Sequence, residues 1–171
     1  MARRIVQYVT ITPTATADTT ALASGTYPFL VQGGSSTQLI RIWEVSISGQ
    51  AASSSSPTFM LLARDSTVGV TPGTFPANVG TDAPLDPATV ALSAAPVVNN
   101  TFTTAAQRSA TLKLMNCSLN AFGGVYFWRA NRVEECPAIL GNTASLGEVS
   151  LSAYTGGTTG AIGAHMIYEP Q

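Results

Sequence analysis

The stretch Thr37-Gln-Leu-Ile-Arg-Ile-Trp-Glu-Val-Ser-Ile-Ser48 decides the fold class, because it holds the longest two-residue alternation in the chain. One predicted face carries Leu39, Arg41, Trp43, Val45 and Ile47, and the other carries Ile40, Ile42, Glu44, Ser46 and Ser48. A period of two is typical of a β-strand. A tract of small residues, 51–57, follows, and then a second run from Thr58 to Arg64 that closes at Asp65. The pattern therefore predicts two strands joined by a flexible surface loop.

Shorter apolar or alternating runs continue along the chain, separated by turns rich in Gly, Ser and Pro. The runs that predict strands are 3–12, 27–31, 96–104, 110–119, 125–130, 138–140, 147–154 and 161–168. No segment has the convincing amphipathic periodicity of a surface helix. Eight to ten short strands of this kind predict an all-β chain, an antiparallel two-sheet β-sandwich of jelly-roll-like topology, as a single domain over 1–171.

Two segments are predicted to lie beside the sheets. Residues 1–25 form an N-terminal strand and arm, which can insert in its own sheet or pair with the edge of another subunit. Residues 66–96 are dense in proline and glycine, which disfavour a sheet ladder, so they predict a long loop excursion that lies on its own sheet or on a partner. The interface candidates are Ile5, Val6, Tyr8, Val9, Arg41, Phe75 and Val79.

The composition narrows the classes of partner. Charged residues make up 10% of the 171 residues, against about 25% in an ordinary soluble domain. So few charges suggest a surface that neighbours cover. A net charge of −1 argues against direct nucleic-acid binding, and no apolar run reaches the length of a membrane span. The start, with two arginines and no apolar signal core, predicts synthesis in a cytoplasm without an export signal.

The chain offers little to build a catalytic or cofactor site. His165 is the only histidine, so a triad or a metal site would need other residues to converge on it, and its strand context predicts a partly covered structural residue. Glu134 and Glu135 are adjacent and would point in opposite directions on a strand. The glycine-rich segment 156–163 lacks the Lys-Ser/Thr ending of a phosphate loop and predicts a hairpin turn. We therefore predict a non-enzymatic chain with no catalytic residue, cofactor or metal.

Cys117 and Cys136 are the only cysteines, too few and too far apart for a zinc or redox motif. One interpretation makes both ordinary half-buried thiols. The alternative is one disulfide, within the chain or to a neighbouring subunit, formed in an oxidising medium.

Arg41 and Glu44 interrupt otherwise apolar faces and are predicted to point to opposite sides of their strand, so each needs a partner or water. One interpretation is an ion pair at the edge of the core, with Glu148 or Arg129 as partner. The other places Arg41 at a subunit interface. The aromatic side chains are predicted to lie in the core, with a carbohydrate-binding platform as the alternative: Trp43, Tyr126, Phe127 and Trp128.

Two blocks of the sequence resemble a known class of proteins. The run Leu39-Ile-Arg-Ile-Trp-Glu-Val-Ser-Ile-Ser-Gly49 and the block from Ile139 to Gly157 are similar to the head decoration, or capsid cement, proteins of tailed bacteriophages. The resemblance implies a β-sandwich, expected as a homotrimer, on the outer surface of the capsid at junctions between major capsid proteins. The major capsid protein is then the expected partner, and the cytoplasm in which the chain is predicted to be made is that of the host.

A cement protein needs only shape and buried area, because many weak contacts act together to oppose the internal pressure of packaged DNA. The alternative function is a tail-fibre or receptor-binding β-sandwich that recognises host glycans through exposed aromatic side chains.

Overall fold

The computed structural model describes residues 29–50, 57–73, 85, 92, 94–99, 102–120, 122–153 and 162–171. These residues form eleven strands and a 3-10 helix at Val133–Glu135. The strands are β1 (Phe29–Gln32), β2 (Leu39–Gly49), β3 (Pro57–Thr67), β4 (Val70–Pro72), β5 (Val97–Asn99), β6 (Phe102–Thr104), β7 (Gln107–Asn120), β8 (Val125–Arg129), β9 (Ala138–Leu140), β10 (Glu148–Ala153) and β11 (Ile162–Pro170). The predicted N-terminal arm and most of the predicted proline-rich excursion lie outside the described residues.

The strands form two main sheets and one ribbon. The larger sheet has the order β5-β1-β10-β3-β7, and the smaller has the order β11-β2-β8, with β9 also paired to β2. Strands β4 and β6 form a separate two-stranded ribbon. All of these pairings are antiparallel. The prediction of an all-β chain with antiparallel sheets is therefore confirmed.

The main core lies between the two sheets. Its buried members come from β1, β2, β3, β7, β9 and β10: Val31, Ile40, Ile42, Val45, Ile47, Met60, Leu62, Met115, Leu119, Ile139, Val149 and Leu151. Strands β8 and β11 add Tyr126, Trp128, Met166 and Tyr168 as partly buried neighbours. Burying one large apolar side chain contributes about 1.5–3 kcal/mol, so this layer is the main source of stability.

A β-bulge in β2 changes the predicted faces of the organising strand. On β11, Tyr168 pairs with Ile42 and the next residue back, Ile167, pairs with Glu44, so Trp43 is the extra residue on β2. A bulge of this kind shifts the alternation by one residue. The predicted division of β2 into two faces is therefore wrong beyond Trp43.

The shift explains how β2 contributes four core residues. Ile40 and Ile42 before the bulge, and Val45 and Ile47 after it, are all at most 1% exposed. Without the bulge, Glu44 would take the core position that follows Ile42, and an ionised carboxylate there would be costly.

The predicted excursion starts as a strand rather than a loop. Thr67 still belongs to β3, and Val70 and Pro72 pair with Thr104 and Phe102 in the β4–β6 ribbon. A two-stranded ribbon leaves one side of each strand without a ladder, so a proline is tolerated there. The described beginning of the excursion is thus sheet-like.

Gly141 offers a test of the close packing at the β9–β10 turn. Its φ is +74°, and a Cβ added there would lie 2.6 Å from the Ser36 carbonyl oxygen, whereas Gly123 has a φ of +76° and nothing within 4 Å. Both Gly→Ala variants incur the left-handed backbone cost of about 1–2 kcal/mol. We expect Gly141→Ala to lose about 1–3 kcal/mol more than Gly123→Ala in chemical denaturation, because only Gly141→Ala adds a backbone clash. Equal losses of stability in the two variants would contradict the close approach of Gly141 to the Ser36 carbonyl group.

Candidate binding face and buried carboxylate pair

The outward side of the smaller sheet, which we call the open face, is accessible to solvent. Its members are Leu39, Arg41, Trp43, Glu44, Ser46 and Ser48 of β2, Val125, Phe127 and Arg129 of β8, Ala138 and Leu140 of β9, and Gly163, His165, Ile167 and Glu169 of β11. Val125 is 71% exposed, Phe127 58% and Leu140 50%. Large apolar side chains held outward on a rigid sheet are a feature of binding surfaces.

A polar trio crosses the middle of the open face. His165 Nε2 lies 2.7 Å from Glu44 Oε1, and Arg129 Nε lies 3.8 Å from Glu44 Oε2. The side chains of His165 and Arg129 are 57% and 70% exposed, whereas that of Glu44 is 12% exposed. The imidazole and the guanidinium therefore cover the carboxylate and link β11, β2 and β8.

The pairing of Glu44 with Arg129 is one of the alternatives raised by the sequence, and the structure selects it. The predicted opposite placement of Arg41 and Glu44 is wrong, because the bulge at Trp43 puts both on the open face. His165 is a partly covered strand residue, as predicted, since its side chain on β11 is 57% exposed and contacts Glu44. Sequence reasoning missed its contact with Glu44, because the two residues are 121 positions apart in the chain.

The C-terminal residues hold the other end of the open face. Arg41 Nη1 donates to Gln171 Oε1 at 2.5 Å, and Trp43 Nε1 donates to Glu169 Oε2 at 2.8 Å. The backbone N–H of Gln171 also donates to the Leu39 carbonyl oxygen at 2.7 Å. Arg41 is thus half-buried among its own chain's residues, and its place at a subunit interface stays a prediction.

The aromatic residues divide between the core and the open face. Tyr126 and Trp128 pack against the core, as predicted. The core prediction is wrong for Phe127, which is 58% exposed, because β8 alternates and its odd-numbered residues point outward. Trp43 is half-buried at the bulge.

Both cysteines are free thiols, so the chain has no internal disulfide. Cys117 of β7 packs against the core, and burial raises its pKa to about 11. Cys136 follows the 3-10 helix, and its Sγ lies 3.7 Å from the Arg132 carbonyl oxygen. A bond between subunits stays a prediction.

The outward side of the larger sheet is buried where β10 lies between β1 and β3, in contrast to the open face, and there it carries a polar cluster. Asp65 and Glu148 are both 0% exposed, and Arg108 is 2% exposed. Ser150 Oγ donates to Asp65 Oδ1 at 2.7 Å. The Gly69 N–H donates to the Glu148 carboxyl, 3.0 Å from Oε2 and 3.2 Å from Oε1.

The positive charge in this cluster comes from β7. Arg108 lies opposite Asp65 in the ladder between β3 and β7. Its Nη1 donates to Ser152 Oγ at 3.0 Å. A buried guanidinium next to a carboxylate offsets part of the cost of removing both from water.

Burial is the main influence on both acids. Loss of solvation raises the pKa of Asp65 to about 6, although hydrogen bonds from Glu148 and Ser150 and the charge of Arg108 act to lower it. Loss of solvation also raises the pKa of Glu148 to about 10, and both the hydrogen bond to Asp65 and its charge raise it further, whereas the hydrogen bond from the Gly69 N–H acts to lower it. The two carboxyls titrate as a pair. Because neither is exposed, they have no access to a substrate, and their chemistry is limited to holding a proton and organising the sheet.

Several predicted sites fall outside the described residues. These are Ile5, Val6, Tyr8, Val9, Phe75, Val79 and most of the glycine-rich segment 156–163. Within the described part of the chain, no three His, Cys, Asp or Glu residues gather as a metal site would require. None of the helical structure described there is long and apolar enough to cross a membrane. Comparison with known protein families, with curated proteins and with solved structures finds no match to this chain.

Proposed function

We propose that the chain is a non-enzymatic virion protein of a tailed bacteriophage, which binds the outer surface of the capsid and cements neighbouring major capsid proteins against the pressure of packaged DNA. A homotrimer and a jelly-roll-like topology, in which the chain passes between sheets from β1 to β2 to β3, belong to this proposal. So does a docking role for the N-terminal arm and the proline-rich excursion. The resemblance of two sequence blocks to head decoration proteins is the reason for naming this partner.

The observation that carries the proposal is the difference between the outward sides of the two sheets. The larger sheet has its acids buried, where they cannot meet a substrate. The smaller sheet presents Val125, Phe127 and Leu140 to solvent on a rigid surface whose central charge, Glu44, is already neutralised by neighbours. Exposed apolar side chains beside polar groups that already bond to neighbours suit broad contact with another protein better than chemistry on a small molecule.

The test replaces two apolar side chains of the open face. We expect Val125→Ser with Phe127→Ser to weaken binding to capsids assembled without the chain by about tenfold or more, because central apolar anchors dominate most interfaces. Co-sedimentation with those capsids measures the affinity.

The control is Leu112→Ser with Val133→Ser, which removes exposed apolar side chains elsewhere. A truncation lacking residues 1–12 separates the arm from the open face in the same assay. Full affinity in both the double variant and the truncation would contradict the proposal.

One observation favours the second candidate, a glycan-binding module. Phe127 is exposed and its ladder partner is Ser46, which also pairs with His165, so an aromatic ring lies near groups that can bond sugar hydroxyls. Saturable binding on a glycan array that is lost in Phe127→Ser, together with unchanged capsid affinity, would favour this candidate.

A further inference from the structure

The buried cluster on the larger sheet contains a carboxyl oxygen to which a neighbouring protonated acid can donate. Asp65 is completely buried, and within the described residues no N–H or O–H donor reaches its Oδ2. Its other oxygen accepts from Ser150. A buried carboxylate oxygen without a donor is costly. Arg64 pairs with Val149 in the antiparallel ladder between β3 and β10, so Asp65 and Glu148 are neighbours on the same side of the sheet, and the Glu148 carboxyl can donate to Asp65 when it carries a proton.

The same carboxyl binds the connection between β3 and β4. Both Glu148 oxygens lie within 3.2 Å of the Gly69 nitrogen, and Gly69 is itself buried. A Cβ at position 69 would lie 2.7 Å from the Phe102 ring of β6, so the backbone passes closely between this ring and the larger sheet. Glu148 thus connects the central strand β10 to the point at which the chain enters the β4–β6 ribbon.

We infer that Asp65 and Glu148 form a buried proton-binding site, in which one shared proton holds Gly69 and the start of the β4–β6 ribbon on the larger sheet. With the proton present, the pair carries one negative charge, which Arg108 balances. Without it, two carboxylates face each other out of contact with water. The Gly69 N–H favours an ionised Glu148, but burial and the charge of Asp65 outweigh that contact, and both are relieved when the Gly69 connection opens. The site is independent of the proposed capsid function.

The charged groups around the pair support one proton rather than a bound cation. From β7, Arg108 lies opposite Asp65, and Lys113 lies opposite Ala63. Next to Asp65, Arg64 directs its Nη1 to the Leu146 carbonyl oxygen at 3.3 Å. Strand β1 presents the uncharged Gln32 opposite Glu148. Within the described residues no third His, Cys, Asp or Glu joins the pair, so the site lacks the ligands that a metal ion would need.

The test follows the proton and the contact between Glu148 and Gly69 separately. Carbon NMR of labelled carboxyl groups in the whole chain should show Glu148 protonated at pH 7. Because opening releases the shared proton, the protection of the Gly69 amide from hydrogen exchange, corrected for intrinsic exchange, should fall by about tenfold per pH unit while the closed site still holds that proton, and should level off once the proton has left the closed site. In Glu148→Gln, whose amide can donate to Asp65 at every pH, this protection should not depend on pH.

The matched control is Glu134→Gln, which makes the same change on the exposed 3-10 helix and should leave Gly69 protection as in the parent chain. An ionised Glu148 at pH 7 would overturn the proposal. The proposal would also be overturned if Glu148→Gln failed to fold or lost Gly69 protection at pH 7. The glutamine amide can donate to Asp65 and accept from Gly69, as the protonated acid does.

Discussion

Arg108→Met should lose about 3–5 kcal/mol of the free energy of unfolding at pH 8, because it removes one partner of a buried charge pair and leaves the other behind. Arg108 is 2% exposed and faces Asp65, which is 0% exposed. Methionine keeps much of the apolar stem, so the loss reflects the charge more than a cavity. A loss of this size is a large part of the stability of an ordinary domain. Urea unfolding measures it.

The control is Arg129→Met, which makes the same substitution at an arginine that also faces a carboxylate. The Arg129 side chain is 70% exposed and lies 3.8 Å from Glu44. An exposed pair contributes about 0.2–1 kcal/mol, so Arg129→Met should change stability by about that amount. Similar losses of unfolding free energy in the two variants would contradict the inference that burial of the charge pair sets the size of the loss.

The loss of unfolding free energy in Arg108→Met should also depend on pH. Burial raises the pKa of Asp65 to about 6. Below that pH Asp65 becomes neutral and needs the guanidinium less, so the loss should be smaller at pH 5 than at pH 8. Adding Asp65→Asn to Arg108→Met should recover part of the stability at pH 8 for the same reason.

The class of fold could be predicted from the sequence because strand alternation is a local property. The faces of β2 could not be predicted by extending one alternation, although the sequence holds a signal for the bulge. Its apolar residues Ile40 and Ile42 are in phase with each other, and Val45 and Ile47 are in phase one residue later. A single phase shift at Trp43 places all four in the core and removes Glu44 from it.

The buried acids were missed for a different reason. Glu148 and Ser150 alternate with Val149 and Leu151, and polar residues in such a pattern are normally exposed to water. Their burial depends on what lies over that side of the sheet, including Gly69, which is 79 residues from Glu148 in the chain. Contacts of this range cannot be inferred from local pattern. The same limit applies to the contact between Glu44 and His165 on the open face.

The whole chain should become less stable as the pH rises from 6 to 8, because the folded state keeps a proton that the unfolded state gives up. The unfolded acids have ordinary pKa values near 3.9 and 4.3. In the fold, burial raises the pKa of Asp65 to about 6 and that of Glu148 to about 10. A raised acid pKa contributes stability at low pH that is lost as pH increases, and this loss continues up to the folded pKa.

Between pH 6 and 8 the Glu148 proton is the main difference in protonation between the two states, with a smaller part from Asp65 near pH 6, and each pH unit then costs about 1.4 kcal/mol, or about 3 kcal/mol over the range. The range stops at pH 8 because burial also raises the pKa of Cys117, which would add a slope of the same sign above the ordinary thiol pKa. Urea unfolding at intervals of half a pH unit measures the slope. In Glu148→Gln it should be close to zero, whereas Glu134→Gln should retain it. A parent chain whose stability is constant or rises over this range would show that Glu148 is ionised in the fold, and that the larger sheet tolerates both charges beside Arg108.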